Sequence, residues 1–179
     1  RADRWGGSAE ARRAFPLDVI RACHDALGDD ALLAYRISLL DLVEDGQTWD
    51  EVVALAADLE EAGVRLLTSG IGWHESRIPT ILSRVPQAAW REATAALTRS
   101  VRVPVAATNR IPTPDLAEEI LAEGEAAVIA LARPLLADPR FVERAAAGEA
   151  DAIMTCIACN QACLDAAFSG RTASCIVNP

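Results

Sequence analysis

Four cysteines lie close together near the end of the sequence. They follow the pattern C-x2-C-x3-C-x11-C, with thiols at Cys156, Cys159, Cys163 and Cys175. Three thiolates within eight residues and a fourth from a short return segment can surround one cubane iron–sulfur cluster. Zinc usually takes two separated C-x2-C pairs, each supplying half of a tetrahedron. The spacing therefore favours a 4Fe–4S cluster, with zinc or a metal-free segment as the alternatives.

A histidine lies in the middle of a second stretch, TSGIGWHESRIPT at 68–80. His74 can donate or accept a proton near neutral pH, although a single histidine is more often a structural hydrogen-bonding group. Glycines on either side of Ile71 would let the backbone pass close to a flat ligand. The pattern H-E-x-x-R lacks the second histidine of a zinc protease, which excludes that class. His74 is therefore a candidate for proton transfer.

Three arginines lie where they could bind an anion. Arg36 is embedded in the apolar run ALLAYRI, where a charge is unfavourable without an anionic partner such as a reduced flavin ring. Arg110 and Arg133 follow two later apolar runs, and each guanidinium could hold a phosphate by paired hydrogen bonds. The alternative for each arginine is a salt bridge with one of the 26 acidic residues. Three arginines at three strand ends favour cofactor binding.

Helical and apolar strand-like segments alternate around these residues. Helical periodicity predicts helices at 16–28, 48–63, 86–101, 113–124 and 139–149. Short apolar runs predict buried parallel strands at 31–37, 64–69, 103–108 and 126–131. Thr48 and Thr113 occupy N-cap positions, and Gly63 and Gly124 follow helix ends. The predicted order is one helix followed by four β–α units.

Four β–α units form either half of a (β/α)8 barrel or a small open, doubly wound sheet. No G-x-G-x-x-G motif follows any predicted strand, which weakens the dinucleotide-binding alternative. Functional groups after successive strands are typical of the barrel. Here the candidates in chain order are Arg36, His74, Asn109 with Arg110, and Arg133. The sequence therefore predicts an α/β fold that is half of a TIM barrel.

The composition limits the class of protein further. The chain has 179 residues, 51% of them hydrophobic, and a net charge of −9, which argues against nucleic acid as a partner. No apolar run reaches the roughly 18 residues that span a bilayer, and no signal peptide is recognisable. Clustered cysteines without a secretory signal favour a reducing compartment. We therefore expect a cytoplasmic protein without a nucleic-acid or membrane partner.

Several motifs together resemble the bacterial NADPH-dependent 2,4-dienoyl-CoA reductases of the Old Yellow Enzyme superfamily. They are YRISLLDLVEDG, GIGWHESRIPTI, TNRI, ARPLLADP and CIACNQACLDAAFSGRTASCIVNP, and the likeness covers the whole chain in order. The resemblance implies FMN in a barrel, a 4Fe–4S cluster after it, and FAD and NADPH bound by a region outside this chain. It implies that the chain is an internal piece of a longer enzyme and is inactive alone. Residues 1–150 would supply barrel strands five to eight, and residues 151–179 would form the cluster segment. The family's catalytic tyrosine would lie upstream.

The resemblance also implies roles for individual residues. His74 would act with the missing tyrosine in proton transfer, and Arg36 would lie near the flavin N1 and O2 edge. The remaining cofactor-binding residues would be Asn109, Arg110, Ala132 and Arg133. The segment along the acyl-CoA path would be Glu75, Ser76, Arg77 and Ile78. The stretch ILSRVPQAAW at 81–90 departs from the smaller, glycine-containing family pattern and could reshape the rim of the active site.

The implied activity is NADPH-dependent reduction of 2,4-dienoyl-CoA thioesters, as in the oxidation of unsaturated fatty acids. Hydride would come from FMN, with electrons arriving through FAD and the cluster. One alternative keeps these cofactors and changes the substrate to an amine, an N-methyl amino acid, an enal or an enone. A second alternative is a metal-binding electron-transfer or zinc module without catalysis of its own.

Overall fold

The predicted alternation of helices and strands is present in the computed structural model, which describes residues 3–73 and 75–179. His74, the candidate for proton transfer, lies outside the described residues. The elements in chain order are α1 (Ala9–Leu27), β1 (Ala34–Leu40), α2 (Trp49–Glu61), β2 (Leu66–Ile71), α3 (Arg91–Thr98), β3 (Val105–Ala107), α4 (Pro114–Ala122), β4 (Val128–Ile129), α5 (Arg133–Ala137), α6 (Phe141–Ala146), a 3-10 turn (Ala150–Ala152) and α7 (Leu164–Phe168).

The four strands form one parallel sheet in the order β1-β2-β3-β4. Each strand therefore pairs with the next strand along the chain, and every connection runs in the same direction across the sheet. A doubly wound sheet would reverse that direction at a switch point. The observed order is the order of consecutive strands in a (β/α)8 barrel.

Several helix boundaries follow from local hydrogen bonds. Thr48 and Glu51 form a reciprocal capping box at the start of α2, as the sequence predicts. Gly63 follows the end of α2 with φ +105°, a conformation that a side chain would strain. Helix α1 begins at Ala9, earlier than the predicted residue 16, because the Ser8 hydroxyl caps it and Pro16 is accommodated inside the helix.

Tertiary contacts shorten other predicted elements. The predicted helix at 86–101 is reduced to α3, because Ala88 takes φ +48° and donates its N–H to the Arg110 carbonyl at 2.8 Å. The short helices α5 and α7 were not predicted. None of the helices in the described ranges is both long enough and apolar enough to cross a bilayer.

The main core lies between the helices and one face of the sheet. Ile37 and Leu39 of β1 and Leu67 of β2 pack there with Leu59 of α2, and each is at most 1% exposed. Burying one such side chain stabilises the fold by about 1.5–3 kcal/mol. On the other face, the paired residues form a row across the sheet, consisting of Arg36, Thr68, Ala106 and Val128. Any site on the sheet must therefore use this second face or the carboxyl ends of the strands.

The segment after α6 is fastened to the helices before it. Asp138 is 1% exposed, and its carboxylate accepts hydrogen bonds from the Met154 N–H at 3.0 Å and from Arg144 Nη1 at 2.6 Å. Near the end of the chain, Asn178 Nδ2 donates to the Ala137 carbonyl at 2.9 Å. The residues that carry the four cysteines are therefore held at both ends against the region from Ala137 to Arg144.

Candidate functional site

A cavity of about 420 Å³ lies at the carboxyl ends of the strands. Arg36, Arg110 and Arg133 all line it, and the described lining residues include no acid. The cavity also contains apolar surface, because Ile81, Ile111, Leu131 and other aliphatic side chains complete its wall. We call it the three-arginine cavity. Its charge suits an anionic ligand, and its apolar wall suits a ligand with a flat or hydrophobic part.

Arg36 lies within β1 and not after it, because the strand continues to Leu40, beyond its predicted end at residue 37. Its side chain extends along the open face beside Gly70, where a Cβ would lie 3.3 Å from Arg36 Nε. Gly70 thus leaves room for the Arg36 side chain. The reason predicted from the sequence for this glycine was different, namely the close passage of a flat ligand. In the described ranges no carboxylate lies within salt-bridge distance of Arg36. The salt-bridge alternative therefore has no support for this residue.

Asn109 and Arg110 occupy the loop after β3, and both have left-handed backbone conformations, with φ +68° and +61°. Two successive non-glycine residues in this region are uncommon and tend to occur at functional sites. Arg110 Nε donates to the Val85 carbonyl at 3.0 Å. Burial lowers the pKa of Arg110 below its usual value, and the charge of Arg133 adds to this effect, while Cys156 opposes it. An anion between the two arginines would relieve this repulsion.

Ala132 and Arg133 follow β4 and also line the three-arginine cavity. Arg133 Nη1 donates to the Ile81 carbonyl at 3.0 Å and to Asn160 Oδ1 at 2.7 Å. Arg133 therefore joins three parts of the chain that are distant in sequence. Like Arg36, it has no acidic partner in the described ranges.

A second cavity of about 660 Å³ adjoins the first, and both are lined by Arg36, Ile81 and Asn109. Glu75 lines this second cavity, which we call the Glu75 cavity. The other predicted substrate residues, Ser76, Arg77 and Ile78, are absent from its described lining. They form a turn in which Ser76 Oγ accepts the Ile78 N–H at 3.1 Å.

A buried carboxylate organises the same cavity, and the sequence interpretation did not single it out. Asp41 is 6% exposed and accepts hydrogen bonds from Ser38 Oγ at 2.6 Å, the Gln47 N–H at 2.8 Å and Trp73 Nε1 at 2.9 Å. The Trp73 N–H also donates to the Asp41 carbonyl at 3.1 Å. Asp41 thereby fixes the residue that immediately precedes His74. The only signal in the sequence is an acidic residue directly after a buried strand.

All four cysteines of the C-terminal motif line one further, narrow cavity of about 10 Å³. Arg133 and Cys156 line both this four-cysteine cavity and the three-arginine cavity, so the two are neighbours. No three His, Cys, Asp or Glu side chains in residues 3–73 and 75–179 come close enough together to hold a single metal ion. The thiols thus surround a common space without converging on one point.

The family to which the chain belongs follows from its sequence. Residues 1–152 match the NADH:flavin oxidoreductase / NADH oxidase family. The chain belongs to this family. A metal reductase of Desulforamulus reducens is 40% identical over 178 residues, which are 99% of this chain and 27% of that protein. An NADH oxidase of Thermoanaerobacter brockii is 40% identical over 183 residues, which are 100% of this chain and 28% of that protein.

Solved structures of the family share this fold. The structure of 2-naphthoyl-CoA reductase with 2-naphthoyl-CoA matches with a TM-score of 0.95 at 34% identity, and the match covers 100% of this chain and 27% of that one. The matched structures are TIM-barrel proteins of the Old Yellow Enzyme superfamily, which confirms the predicted α/β barrel class. The chain spans 27–28% of the length of these three relatives.

Membership of the NADH:flavin oxidoreductase family supports the expected class of flavin-dependent oxidoreductase, and the family implies FMN as the cofactor. The family's substrates are diverse. A cinnamate reductase of Clostridium sporogenes is 27% identical over 100% of this chain and 29% of that protein. A dimethylamine dehydrogenase of Hyphomicrobium is 26% identical over 89% of this chain and 22% of that protein. Reductases of conjugated acids or thioesters and amine dehydrogenases are thus both relatives.

Proposed function

We propose that the protein carrying this chain is an NADPH-dependent reductase of 2,4-dienoyl-CoA thioesters, with FMN in the three-arginine cavity and a 4Fe–4S cluster in the four-cysteine cavity. The observation that carries the proposal is the contact between these two cavities through Arg133 and Cys156. A basic pocket without a described acid suits an anionic flavin, and four clustered thiols beside it suit the iron–sulfur cluster that would donate electrons to that flavin.

The residues of the three-arginine cavity suit the parts of FMN. Arg110, Arg133 and the backbone at Asn109 and Ala132 would hold the phosphate, because guanidinium groups and backbone N–H groups bind phosphate oxygens. Arg36 would face the pyrimidine edge of the ring and stabilise its negative charge when reduced. FMN would supply hydride to the conjugated thioester, and the cluster would supply single electrons from NADPH by way of FAD in another region.

The spacing of the thiols supports a cluster over zinc. A structural zinc site usually takes two separated C-x2-C pairs, each supplying half of a tetrahedron. The thiols here do not follow that arrangement of paired C-x2-C motifs, because three of them lie within eight residues and the fourth comes from a return segment, and all four line one cavity. Three closely spaced thiolates and a fourth from a return segment can instead surround one cubane. Cys156, Cys159, Cys163 and Cys175 therefore suit a 4Fe–4S cluster.

The Glu75 cavity would hold the acyl group beside the flavin ring, since Arg36 lines both cavities. His74 would donate the proton to the substrate, and the bond from the Trp73 N–H to the Asp41 carbonyl would fix the backbone leading to it. The turn of Ser76, Arg77 and Ile78 would lie along the CoA path. The likeness to 2-naphthoyl-CoA reductase, which acts on a CoA thioester, supports this substrate class.

One observation favours a second candidate, oxidation of an amine. Glu75 is the one acid among the described lining residues of its cavity, and a carboxylate there could bind an ammonium group. The dimethylamine dehydrogenase relative is consistent with that chemistry. Arg36 in the same cavity opposes it, because a cationic substrate would be repelled.

The test uses the complete protein that contains this chain, purified without oxygen. We expect about four irons and four sulfides per chain beyond the flavin, and NADPH-dependent reduction of a 2,4-dienoyl-CoA. Stoichiometric zinc without sulfide would contradict the cluster, and turnover of secondary amines in place of the thioester would favour the second candidate.

Arg36→Leu should slow thioester reduction by about 10- to 150-fold, the loss of one charge-assisted contact of about 1.5–3 kcal/mol. Arg65→Leu is the matched control, because Arg65 precedes β2 at the opposite end of the sheet and is exposed. Equal effects of the two substitutions would show that net charge and not position is responsible, and would contradict the role of Arg36.

A further inference from the structure

The Arg133 side chain lies between the three-arginine cavity and the four-cysteine cavity and lines both. Its Nη1 group is held by the Ile81 carbonyl and by Asn160 Oδ1. Its Nε and Nη2 groups have no hydrogen-bond partner in residues 3–73 and 75–179. A guanidinium carries its five N–H donors in one rigid plane. Whatever holds Nη1 therefore sets the direction in which the remaining donors point.

Asn160 lies between Cys159 and Cys163, in the segment 156–163 that we call the cysteine loop, and it lines the four-cysteine cavity. It is 8% exposed and has φ +65°, a conformation that asparagine tolerates better than most residues. Its own carbonyl accepts the Asp165 N–H at 3.0 Å, which ties it to α7. The position of its side-chain oxygen is therefore set by the fold of the cysteine loop.

We propose that Asn160 is a positioning residue that couples FMN binding to the order of the cysteine loop, by holding the Arg133 guanidinium toward the three-arginine cavity. The inference rests on the proposed function, because FMN is taken as the anion in that cavity. Without Asn160, Nη1 keeps only the Ile81 carbonyl, and a flexible arginine side chain gains orientations that point away from a phosphate. Disorder of the cysteine loop would then release FMN as well as iron.

The test measures FMN affinity in the complete protein, by titrating flavin-depleted samples and following flavin fluorescence. Asn160→Gly removes the amide and still allows the left-handed backbone. We expect its FMN dissociation constant to rise about tenfold or more, the loss of one hydrogen bond to a charged group. The control is Gln161→Ala, at the exposed neighbouring position, which should stay within about twofold of the wild type.

A double-mutant cycle with Arg133→Lys separates positioning from general damage. Lysine lacks the rigid fork, so adding Asn160→Gly to Arg133→Lys should change the affinity little further, whereas fully additive effects would overturn the inference. Asn160→Asp is a second variant that retains an oxygen for Arg133. It should bind FMN more tightly than Asn160→Gly, even if the glycine variant loses iron. The reverse ranking would overturn the inference.

The two failures can be told apart. Wild-type protein that binds no FMN contradicts the proposed function. Wild-type protein that binds FMN, with an unchanged affinity in Asn160→Gly, contradicts only the role of Asn160. Iron and sulfide contents measured in the same samples report whether the cysteine loop is still loaded.

Discussion

Replacing Asp41 should loosen the loop between β1 and α2 together with the residue that precedes His74. The carboxylate uses both oxygens, because Oδ1 accepts from Ser38 and Trp73 while Oδ2 accepts from the Gln47 N–H. Asp41→Ala removes all of these acceptors. Asp41→Asn keeps an oxygen on one side only, so its amide group must face a donor on the other side.

The size of the effect can be worked out from the Gln47 amide, whose single bond to Oδ2 is 2.8 Å long. A hydrogen bond to a charged group contributes about 1.5–3 kcal/mol. Since about 1.4 kcal/mol corresponds to a factor of ten, Asp41→Ala should raise the local opening equilibrium at Gln47 by about 10- to 150-fold. Asp41→Asn should give an intermediate increase.

The assay is hydrogen exchange of the complete protein, resolved to residues 41–48 and compared with the wild type. Glu44→Ala is the control, because Glu44 is an exposed acid in the same loop. Thioester reduction should fall in the order wild type, Asp41→Asn, Asp41→Ala. Unchanged exchange at Gln47 in Asp41→Ala, or an equal increase in Glu44→Ala, would refute the reasoning.

Two further predictions concern other positions. Gly70→Ala would place a Cβ 3.2 Å from the Ile37 carbonyl oxygen and 3.3 Å from Arg36 Nε, so it should displace the Arg36 side chain and weaken FMN binding in a flavin titration. An FMN affinity equal to that of the wild type would contradict this prediction. Burial alone would raise the pKa of Asp138, but the N–H groups of Met154 and Arg140 and the Arg144 charge lower it below its usual value. The ionised Asp138 therefore stabilises the fold above the unfolded-state pKa near 4, and this contribution is lost as the pH falls through the lower folded-state pKa. Asp138→Asn should reduce this acid dependence, measured by hydrogen exchange of the Met154 amide.

The sequence by itself determined the features that depend on local pattern. Strands that are buried on both faces and helices that are buried along one stripe have different hydrophobic periods in the sequence. The alternation of apolar runs with helical periodicity therefore predicted the order of one helix and four β–α units. The cap at Thr48 and the glycine after α2 were predictable for the same reason, since each acts through neighbouring backbone groups. The spacing of the four cysteines likewise placed them around one cavity.

The tertiary structure decided which distant residues meet. Trp73 reaches Asp41 across 32 residues, and Arg133 reaches Asn160 across 27, and no periodicity in the sequence relates these pairs. The contact between Ala88 and the Arg110 carbonyl delays the start of α3 to Arg91, although the periodicity predicted a start at residue 86. The gathering of three arginines without an acid also depends on strand register and burial. These are properties of packing between elements, where the free energy comes from surfaces that touch only after the chain has folded.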